Sequence, residues 1–181
     1  MRMMAETEEF IPKALVLLYP KLKRFAVSLT GSMDRADDLV QHTCEWVLRN
    51  PPQALSGTRL DCWLYGLMRL AWVDQQREDL RTSALLDDAG DRPSAEGSSQ
   101  AENWLMLDEV YQKIIRLPEE HRTVLILVSI DGLSYRETAE ILEVPVGTVM
   151  SRVAHARLAL AKQLKEPRPD PDSTLKVQRS R

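Results

Sequence analysis

The stretch 131–160, DGLSYRETAEILEVPVGTVMSRVAHARLAL, decides the fold of the second half of this chain. Ser134 and Glu137 stand three residues apart before an apolar run, which is the spacing of a capping box at a helix start. Pro145 has no N–H group and disfavours helical geometry in the residue before it, so it predicts a turn. A second helix is predicted to begin near Gly147. A short helix, a tight turn and a longer helix together predict a helix-turn-helix.

The predicted second helix separates into an apolar face and a polar, basic face. Its apolar residues recur at helical spacing: Val149, Val153, Ala156, Leu160 and Leu164. The opposite stripe consists of Thr148, Ser151, Arg152, His155 and Lys162, with Arg157 and Lys165 adding to the basic set. Residues 146–164 contain no acidic side chain, although the whole chain has a formal net charge of -3. Short polar and arginine side chains on such a helix reach base edges and phosphates, so the pattern favours DNA binding over a merely solvated basic face.

Composition restricts the remaining function classes. The chain has 181 residues, which fits one ordinary domain or two small ones. Its first residues lack an apolar signal core and no run approaches the ~20 apolar residues of a membrane helix, so we expect a cytosolic, soluble protein. Cys44 and Cys62 have no metal or redox spacing, and His42 with Cys44 supplies too few ligands for zinc. The sequence has no nucleophile elbow or glycine-rich phosphate loop, so we expect no enzyme activity, no cofactor and no metal.

Helical periodicity predicts an all-α fold of two small helical domains joined by a flexible linker. The first domain is predicted over residues 6–81, where NPPQALSGT at residues 50–58 forms a loop between two helical segments. Residues 82–103 are rich in Ser, Gly and Asp, which is typical of a flexible acidic linker. The second domain is predicted over residues 104–165. Alternating prolines and charges predict a disordered tail over residues 166–181.

Two motifs resemble those of bacterial extracytoplasmic-function (ECF) sigma factors of the sigma-70 family. The sequence LPEEHRTVLILVSIDGLSYRETAEILEVPVGTVMSRVAHAR at residues 117–157 resembles their region four. The sequences DRADDLVQHTCEWVLRN at residues 34–50 and DCWLYGLMRLAWVDQQRE at residues 61–78 resemble their region two. The resemblance covers most of residues 10–165 and implies promoter-specific transcription initiation by a region two-like bundle and a region four-like helix-turn-helix.

The resemblance implies three binding surfaces and a regulator. Region two of such proteins binds the beta-prime clamp helices of core RNA polymerase, and the matching residues are Asp37, Asp38 and Gln41. Region four binds the beta flap and reads the minus-thirty-five element of promoter DNA; its matching residues are Arg136, Thr148, Met150, Ser151, Arg152, His155 and Arg157. A loop and the helix after it capture a flipped base of the minus-ten element; their matching residues are Gln53, Ser56, Thr58, Arg59, Asp61, Leu70 and Arg77. An anti-sigma factor that clamps both domains is a further expected partner.

Three residues depart from the pattern of the family and keep other interpretations open. Leu70 stands where an asparagine is often found, Met150 where a basic residue is common, and His155 where an arginine is common. Leucine cannot hydrogen-bond a base edge, and a lost positive charge weakens phosphate attraction. One alternative is a sigma-like decoy that sequesters an anti-sigma factor without binding DNA, although a decoy needs no basic recognition helix. Another is a helix-turn-helix repressor, which leaves the first domain unexplained.

Aromatic and basic residues of the first domain also allow two interpretations. Trp63, Tyr65 and Trp72 are able to stack on unpaired bases. Trp63 and Trp72 stand nine residues apart, roughly on one helix face, so core packing is favoured. The arginines on or after the same helix either contact the promoter backbone or are solvated: Arg69, Arg77 and Arg81.

Overall fold

The computed structural model describes residues 2–52, 59–86 and 109–165, and these ranges are helical apart from turns. The α-helices are α1 (Arg2–Thr30), α2 (Met33–Arg49), α3 (Leu60–Leu86), α4 (Glu109–Ile115), α5 (Glu119–Leu125), α6 (Tyr135–Leu142) and α7 (Val146–Lys165). A π-helical segment, Ile126–Ile130, continues α5. The all-α fold expected from the sequence is thereby confirmed.

Helices α1, α2 and α3 form the bundle of the first domain. Gly31 ends α1 with a φ of +67°, a left-handed conformation that glycine adopts without strain. Ser32 caps α2, and its hydroxyl accepts a hydrogen bond from the Arg35 N–H at 3.5 Å. In the core of the bundle, the ring centroids of Phe25 and Tyr65 lie 4.8 Å apart and both residues are fully buried. This packing holds α1 and α3 together along the centre of the domain.

The third helix extends further than composition predicted. It continues to Leu86, so residues 82–86, which we expected to belong to the linker, are helical. Extending an existing helix costs little free energy, because no new helical turn has to be nucleated. This segment also contains alanine and leucine, which are good helix formers. Four predicted features lie outside the described residues: most of the minus-ten loop at 53–58, the linker over 87–103, the domain start at 104–108 and the tail at 166–181.

The helix-turn-helix has the caps that the sequence predicts. The Glu137 N–H donates to Ser134 Oγ at 3.1 Å, and the Ser134 N–H donates to the Glu137 carboxylate at 2.8 Å, which completes a capping box. Gly132 precedes the cap with a φ of +74°. Between α6 and α7, Glu143 has a φ of +51°, so a residue with a side chain occupies a left-handed position. The last helix begins at Val146, one position before the predicted start.

The apolar stripe of α7 is buried at its first positions and exposed at its end. Val149, Val153 and Ala156 are buried, and Leu160 packs partly buried against a cluster that includes Ala156. Leu164, the last residue of the predicted apolar stripe, is 46% exposed, so the stripe is not buried at its C-terminal end. Four-residue steps advance more than one helical turn, and by Leu164 the stripe has rotated about 60° from its start.

The two domains pack against each other in the described structure. One continuous core contains residues of both domains, among them Phe25 and Leu64 of the first and Val124 and Leu133 of the second. Helix α1 packs on α5, and α3 packs on α6. The first helix of the helix-turn-helix therefore lies directly beside the helix that carries the minus-ten candidates.

Candidate nucleic-acid interface

The accessible surface of α7 carries the residues assigned to the minus-thirty-five element. They are all accessible, either exposed or partly buried: Thr148, Met150, Ser151, Arg152, His155 and Arg157. Arg136 is exposed on the neighbouring helix α6 and forms a long ion pair of 3.9 Å with Glu140. The first turns of a recognition helix enter the major groove in helix-turn-helix complexes, and this surface presents hydroxyl, imidazole and guanidinium groups there.

Two residues of α5 support this surface and were missed by the sequence analysis. Glu120 Oε2 lies 2.7 Å from Arg152 Nη2, so a carboxylate from the neighbouring helix fixes the guanidinium beside the recognition helix. The rings of His121 and His155 lie 6.1 Å apart. The only sequence signal was the pair of acidic residues in the first turn of α5, which has an ordinary explanation as favourable charge at a helix start.

Arg59 and Asp61 form a rigid unit at the start of α3, next to the minus-ten loop. Arg59 donates from Nε to Asp61 Oδ1 at 3.0 Å and from Nη2 to Oδ2 at 2.6 Å, and the Cys62 N–H donates to the same carboxylate at 3.0 Å. Burial alone would raise the pKa of Asp61, but the Arg59 hydrogen bonds and charge outweigh it and lower that pKa. Asp61 is buried, whereas about half of the Arg59 side chain remains exposed. The remaining loop candidates, Gln53, Ser56 and Thr58, lie outside the described residues.

The aromatic residues of α3 divide between core and surface. Core packing was favoured for Trp63 and Trp72 from their spacing; Trp72 is 3% exposed and lies in the core, whereas Trp63 is only partly buried, and Tyr65 between them is 0% exposed. The Arg35 guanidinium covers the Trp72 ring at 4.7 Å from its centroid. Trp63 is partly buried and lines a surface groove. Of the three aromatic residues, Trp63 therefore retains the capacity to stack on a base.

Leu70 lies in an apolar patch on the outer face of α3. It is 54% exposed and lines a cavity of about 210 Å³ together with His42, Trp46 and Ala71. Trp46 is 43% exposed. Leu70, which stands where the family often has an asparagine, is therefore part of a larger apolar surface between α2 and α3. Arg77, further along α3, is exposed and pairs with Asp74 at 3.4 Å.

A groove between α3 and α6 joins the two domains. Its cavity measures about 470 Å³, and Arg59, Trp63 and Arg69 of the first domain line one wall. Glu137 and Glu143 line the other wall. Arg59 Nη1 lies 3.3 Å from Glu137 Oε1, and Arg69 Nη1 lies 2.9 Å from Glu143 Oε2. Two arginines of the first domain therefore face carboxylates of the second.

Asp131 joins the two domains at a buried position. Its side chain is 0% exposed, and Arg24 Nη2 donates to Oδ1 at 2.5 Å. The Tyr65 hydroxyl donates to the other oxygen at 2.8 Å. Burial and the Asp131 charge raise the pKa of Tyr65, so its hydroxyl remains a hydrogen-bond donor at every physiological pH. Both carboxylate oxygens of Asp131 thus bind residues of the first domain.

The residues assigned to polymerase binding lie together on α2. Asp37, Asp38 and Gln41 are all exposed, and their spacing places them on one accessible side of the helix. Lys23 of α1 pairs with Asp37, and Gln41 Nε2 donates to Glu45 at 3.0 Å. This acidic surface is separate from α7. Within the described ranges, no group of three or more His, Cys, Asp or Glu residues is arranged to bind a metal, and no helix is long and apolar enough to cross a membrane.

Models of two protein families match the two domains of the chain. Residues 107–160 match the model described as "Sigma-70, region 4", and residues 18–69 match the model described as "Sigma2 domain of PhyR". The helix-turn-helix and the bundle before it thereby define a sigma-70-type protein.

Comparison with individual proteins specifies the group. The chain is 35% identical over 145 residues to the ECF RNA polymerase sigma factor EcfG of Rhodopseudomonas palustris, covering 80% of each chain. Its structure is similar to the sigma factor RpoE in complex with the anti-sigma factor NepR from Bartonella quintana, with a TM-score of 0.67 and 30% identity, covering 87% of this chain and 98% of that chain. The anti-anti-sigma factor PhyR of the same organism has a similar fold, at 18% identity and a TM-score of 0.51, over 92% of this chain and 58% of that chain. The chain belongs to the ECF sigma factors of the sigma-70 family.

Proposed function

We propose that this protein binds core RNA polymerase and directs it to a specific class of promoters. The observation that carries the proposal is the polar, acid-free surface of α7 in a helix-turn-helix whose first helix has a complete capping box, within a chain of ECF sigma factor type. The catalytic step of transcription belongs to the polymerase, and this chain acts as a non-enzymatic specificity subunit in the cytoplasm. Residues 6–86 and 104–165 serve as its two functional domains, joined by a linker within residues 87–103.

The minus-thirty-five element is read by α7 in the major groove. Arg152 is the residue best placed for a base edge, because Glu120 holds its guanidinium in position and arginine binds guanine bidentately. Ser151 and Thr148 offer short hydroxyls for base or phosphate contacts. Met150 and His155 replace more basic residues of the family, so we expect fewer phosphate contacts and an altered base preference at this element.

The minus-ten element is read by the loop before α3 and by the exposed face of α3. Asp61 acts through Arg59, because its buried carboxylate is already bound by the guanidinium and by a backbone N–H. Arg59 then offers its exposed edge to a phosphate or base of the single strand. Trp63 supplies the accessible ring for stacking, and Leu70 supplies apolar contact in place of a hydrogen bond.

Polymerase binding is assigned to the exposed side of α2, where Asp37, Asp38 and Gln41 would contact the beta-prime clamp helices, with the second domain on the beta flap. Regulation is assigned to an anti-sigma factor. The support is the similarity to RpoE, which was solved with its anti-sigma factor NepR and which this chain covers almost completely. A small helical partner recovered with this protein from its host is the expected result, and its absence under all growth conditions would count against this regulation.

A second candidate function is a decoy that sequesters an anti-sigma factor without binding DNA. The observation in its favour is the match of residues 18–69 to the sigma2 domain of PhyR, together with Leu70, Met150 and His155. This match supports a shared fold more than a shared function, because the chain is only 18% identical in sequence to PhyR itself. The basic surface of α7 has no purpose in a decoy, so the sigma factor remains the stronger candidate.

The test is transcription with purified components. The full chain is mixed with core RNA polymerase and a library of random upstream sequences, and the run-off transcripts are sequenced. Transcripts that share two upstream elements are the expected result, and an Arg152→Ala variant should lose the preference at one minus-thirty-five position. The chemically milder Ser83→Ala, on the exposed end of α3, is the control and should leave the shared elements unchanged. Absence of both polymerase binding and transcripts would refute the sigma factor and favour the decoy.

A further inference from the structure

Two apolar side chains are exposed in the first half of α7, among the polar groups assigned to the minus-thirty-five element. Met150 is 53% exposed, and Ala154, one helical turn further on, is exposed as well. The core-facing side of this part of the helix is formed by Val149 and Val153, which are buried. Met150 and Ala154 therefore lie outside the core and are available to a partner.

Both residues share one side of α7 with a residue assigned to base contacts. Successive residues of an α-helix are about 100° apart around its axis, so Ala154 lies about 40° from Met150 and about 60° from Ser151. Four residues span about 6 Å along the axis, which is less than two base-pair steps of about 3.4 Å each. When α7 lies in the major groove, Met150 and Ala154 therefore lie over the same base pair or over neighbouring ones.

The charges around these side chains favour DNA as the partner. Residues 146–164 contain no acidic side chain, and Arg152, His155 and Arg157 follow Met150 within two turns. An apolar protein partner would have to desolvate these basic groups, whereas DNA offers phosphates beside its base edges. The apolar pair is therefore placed where a duplex can contact it and its basic neighbours together.

Thymine is the base that presents an apolar group in the major groove. Guanine, adenine and cytosine display hydrogen-bond donors or acceptors there, whereas thymine adds a C5-methyl group to its single acceptor. Alanine has no polar side-chain atom, and the methionine sulfur is only a weak acceptor. Contact with these side chains would deprive a polar base edge of its water partners, whereas a methyl group gains free energy on leaving water. The unbranched methionine chain adapts its shape to such a contact.

We propose that Met150 and Ala154 read thymine methyl groups in the minus-thirty-five element and give it a preference for T·A base pairs. This inference rests on the proposed function, because it requires α7 to lie in the major groove of the promoter. Arg152, which Glu120 holds in place, contributes the polar base contact from another side of the same helix. The element therefore contains at least one T·A pair that is recognised by its methyl group.

The experiment replaces single thymines by deoxyuridine, which keeps the base pair and removes only the C5-methyl group. The full chain in complex with core RNA polymerase is bound to promoter duplexes that carry the elements shared by the run-off transcripts, with one substitution in each duplex. At one or two thymines of the minus-thirty-five element, deoxyuridine should weaken binding about three- to fivefold, the factor expected for one buried methyl group. Thymines outside the shared elements provide the reference and should show no effect.

Variants connect the methyl effect to Met150. Met150→Ala should bring the ratio of thymine to deoxyuridine affinity close to one at one position, whereas Met150→Leu keeps an apolar side chain of similar volume and should retain the ratio. Leu158→Ala is the matched control. Leu158 is 69% exposed about two turns further along α7, beyond the half of the helix that enters the groove, so its removal should leave every ratio unchanged. Thermal melts check that each variant is folded.

Deoxyuridine without effect at every thymine of the minus-thirty-five element would overturn the proposal, and so would an element that contains no T·A pair. An unchanged ratio in Met150→Ala would also overturn it, and an equal loss of affinity for both kinds of duplex would assign Met150 to a protein contact instead. Failure of the proposed function is distinguishable from these outcomes. It gives no transcripts, whereas failure of this inference gives transcripts from promoters that are insensitive to the methyl group.

Discussion

Arg122 is the residue on which the end of α1 depends. It is 8% exposed and donates from Nε to the Ser28 carbonyl at 2.6 Å and from Nη2 to the Leu29 carbonyl at 3.4 Å. The last carbonyls of a helix have no partners within the helix, and a cation there is favourable. Residue 122 of the second domain therefore caps a helix of the first. Gly31 makes room for it, since a Cβ at that position would lie 3.3 Å from Arg122 Nη2.

The first prediction concerns this glycine. Gly31→Ala should reduce the free energy of unfolding by about 1–3 kcal/mol, because alanine is strained at positive φ and its methyl group crowds the guanidinium. Gly66→Ala is the control: Gly66 lies within α3, and a methyl group there would meet no neighbouring side chain within 4 Å, so alanine should be neutral or stabilise by about 0.5–1 kcal/mol. Urea denaturation of both variants provides the measurement. Equal losses in the two variants would contradict the role of Arg122.

The second prediction concerns the ion pair of Arg152 with Glu120. Arg152→Ala should weaken binding to the preferred minus-thirty-five duplex by about 1–3 kcal/mol and remove the preference at one base pair. Glu120→Gln should relax that preference less, because it leaves the guanidinium present but held less firmly. Binding of the polymerase complex to a duplex series at constant salt gives both values. Arg157→Ala is the comparison and should weaken all sequences alike if it contacts phosphate, with a smaller salt dependence.

At the scale of the helix, the capping box of α6 is the element that fixes the entry to the helix-turn-helix. Ser134→Ala, the third prediction, removes the acceptor for the Glu137 N–H and should reduce the free energy of unfolding by about 1 kcal/mol. Ser134→Gly should cost only a few tenths of a kcal/mol, because glycine is a tolerated cap. Urea denaturation separates the two variants. A larger loss in the glycine variant would show that the hydroxyl is not the stabilising group.

The same cap predicts a pH dependence, which is the fourth prediction. Hydrogen bonds from the Ser134 N–H and hydroxyl lower the pKa of Glu137 below its ordinary value. A carboxyl whose pKa is lower in the folded state stabilises the fold above its unfolded pKa of about 4.3, and this stabilisation disappears as the pH falls through the folded value. Urea midpoints measured on both sides of that window should therefore differ less in Glu137→Gln than in the unmutated chain. If the urea midpoints of the two chains change equally between the two pH values, the acid sensitivity comes from other carboxyls such as Asp61, whose pKa is also lowered.

The elements differ in how well the sequence predicts them. The caps at Ser134, Gly132 and Gly31 and the turn at Pro145 were predictable, because each depends on one residue type at a local position. The left-handed Glu143 was not, since glutamate is no signal for positive φ. The extension of α3 was missed because composition alone marked its last turn as linker.

The candidate site was likewise only partly predictable from the sequence. Which α7 side chains are accessible follows from the helical spacing of its apolar residues, a pattern that a few neighbouring residues already contain. The contacts that the sequence analysis missed join distant positions, such as residue 65 with residue 131 and residue 69 with residue 143. Each of these side chains alone resembles an ordinary surface or core residue, and nothing local indicates its partner. Packing of the domains therefore had to come from the structure.

At the scale of the whole molecule, a shared core and the ion pairs of Arg59, Arg69 and Asp131 couple the two domains. Val124 and Leu133 pack into the same cluster as Phe25 and Leu64, so separation would expose apolar surface on both sides. The polar contacts give this packing one orientation.

The fifth prediction follows from this coupling. Domains that share a core should unfold together, so calorimetry of the full chain should show one transition whose van't Hoff and calorimetric enthalpies agree. The double variant Asp131→Ala with Glu143→Gly removes the side chains that bind Arg24, Tyr65 and Arg69 while leaving the apolar core of each domain intact. It should unfold in two transitions, or in one whose van't Hoff enthalpy is clearly the smaller. The double variant Glu140→Gln with Ser83→Ala is the control and should keep the single transition. Two transitions already in the unmutated chain would contradict the coupling of the two domains.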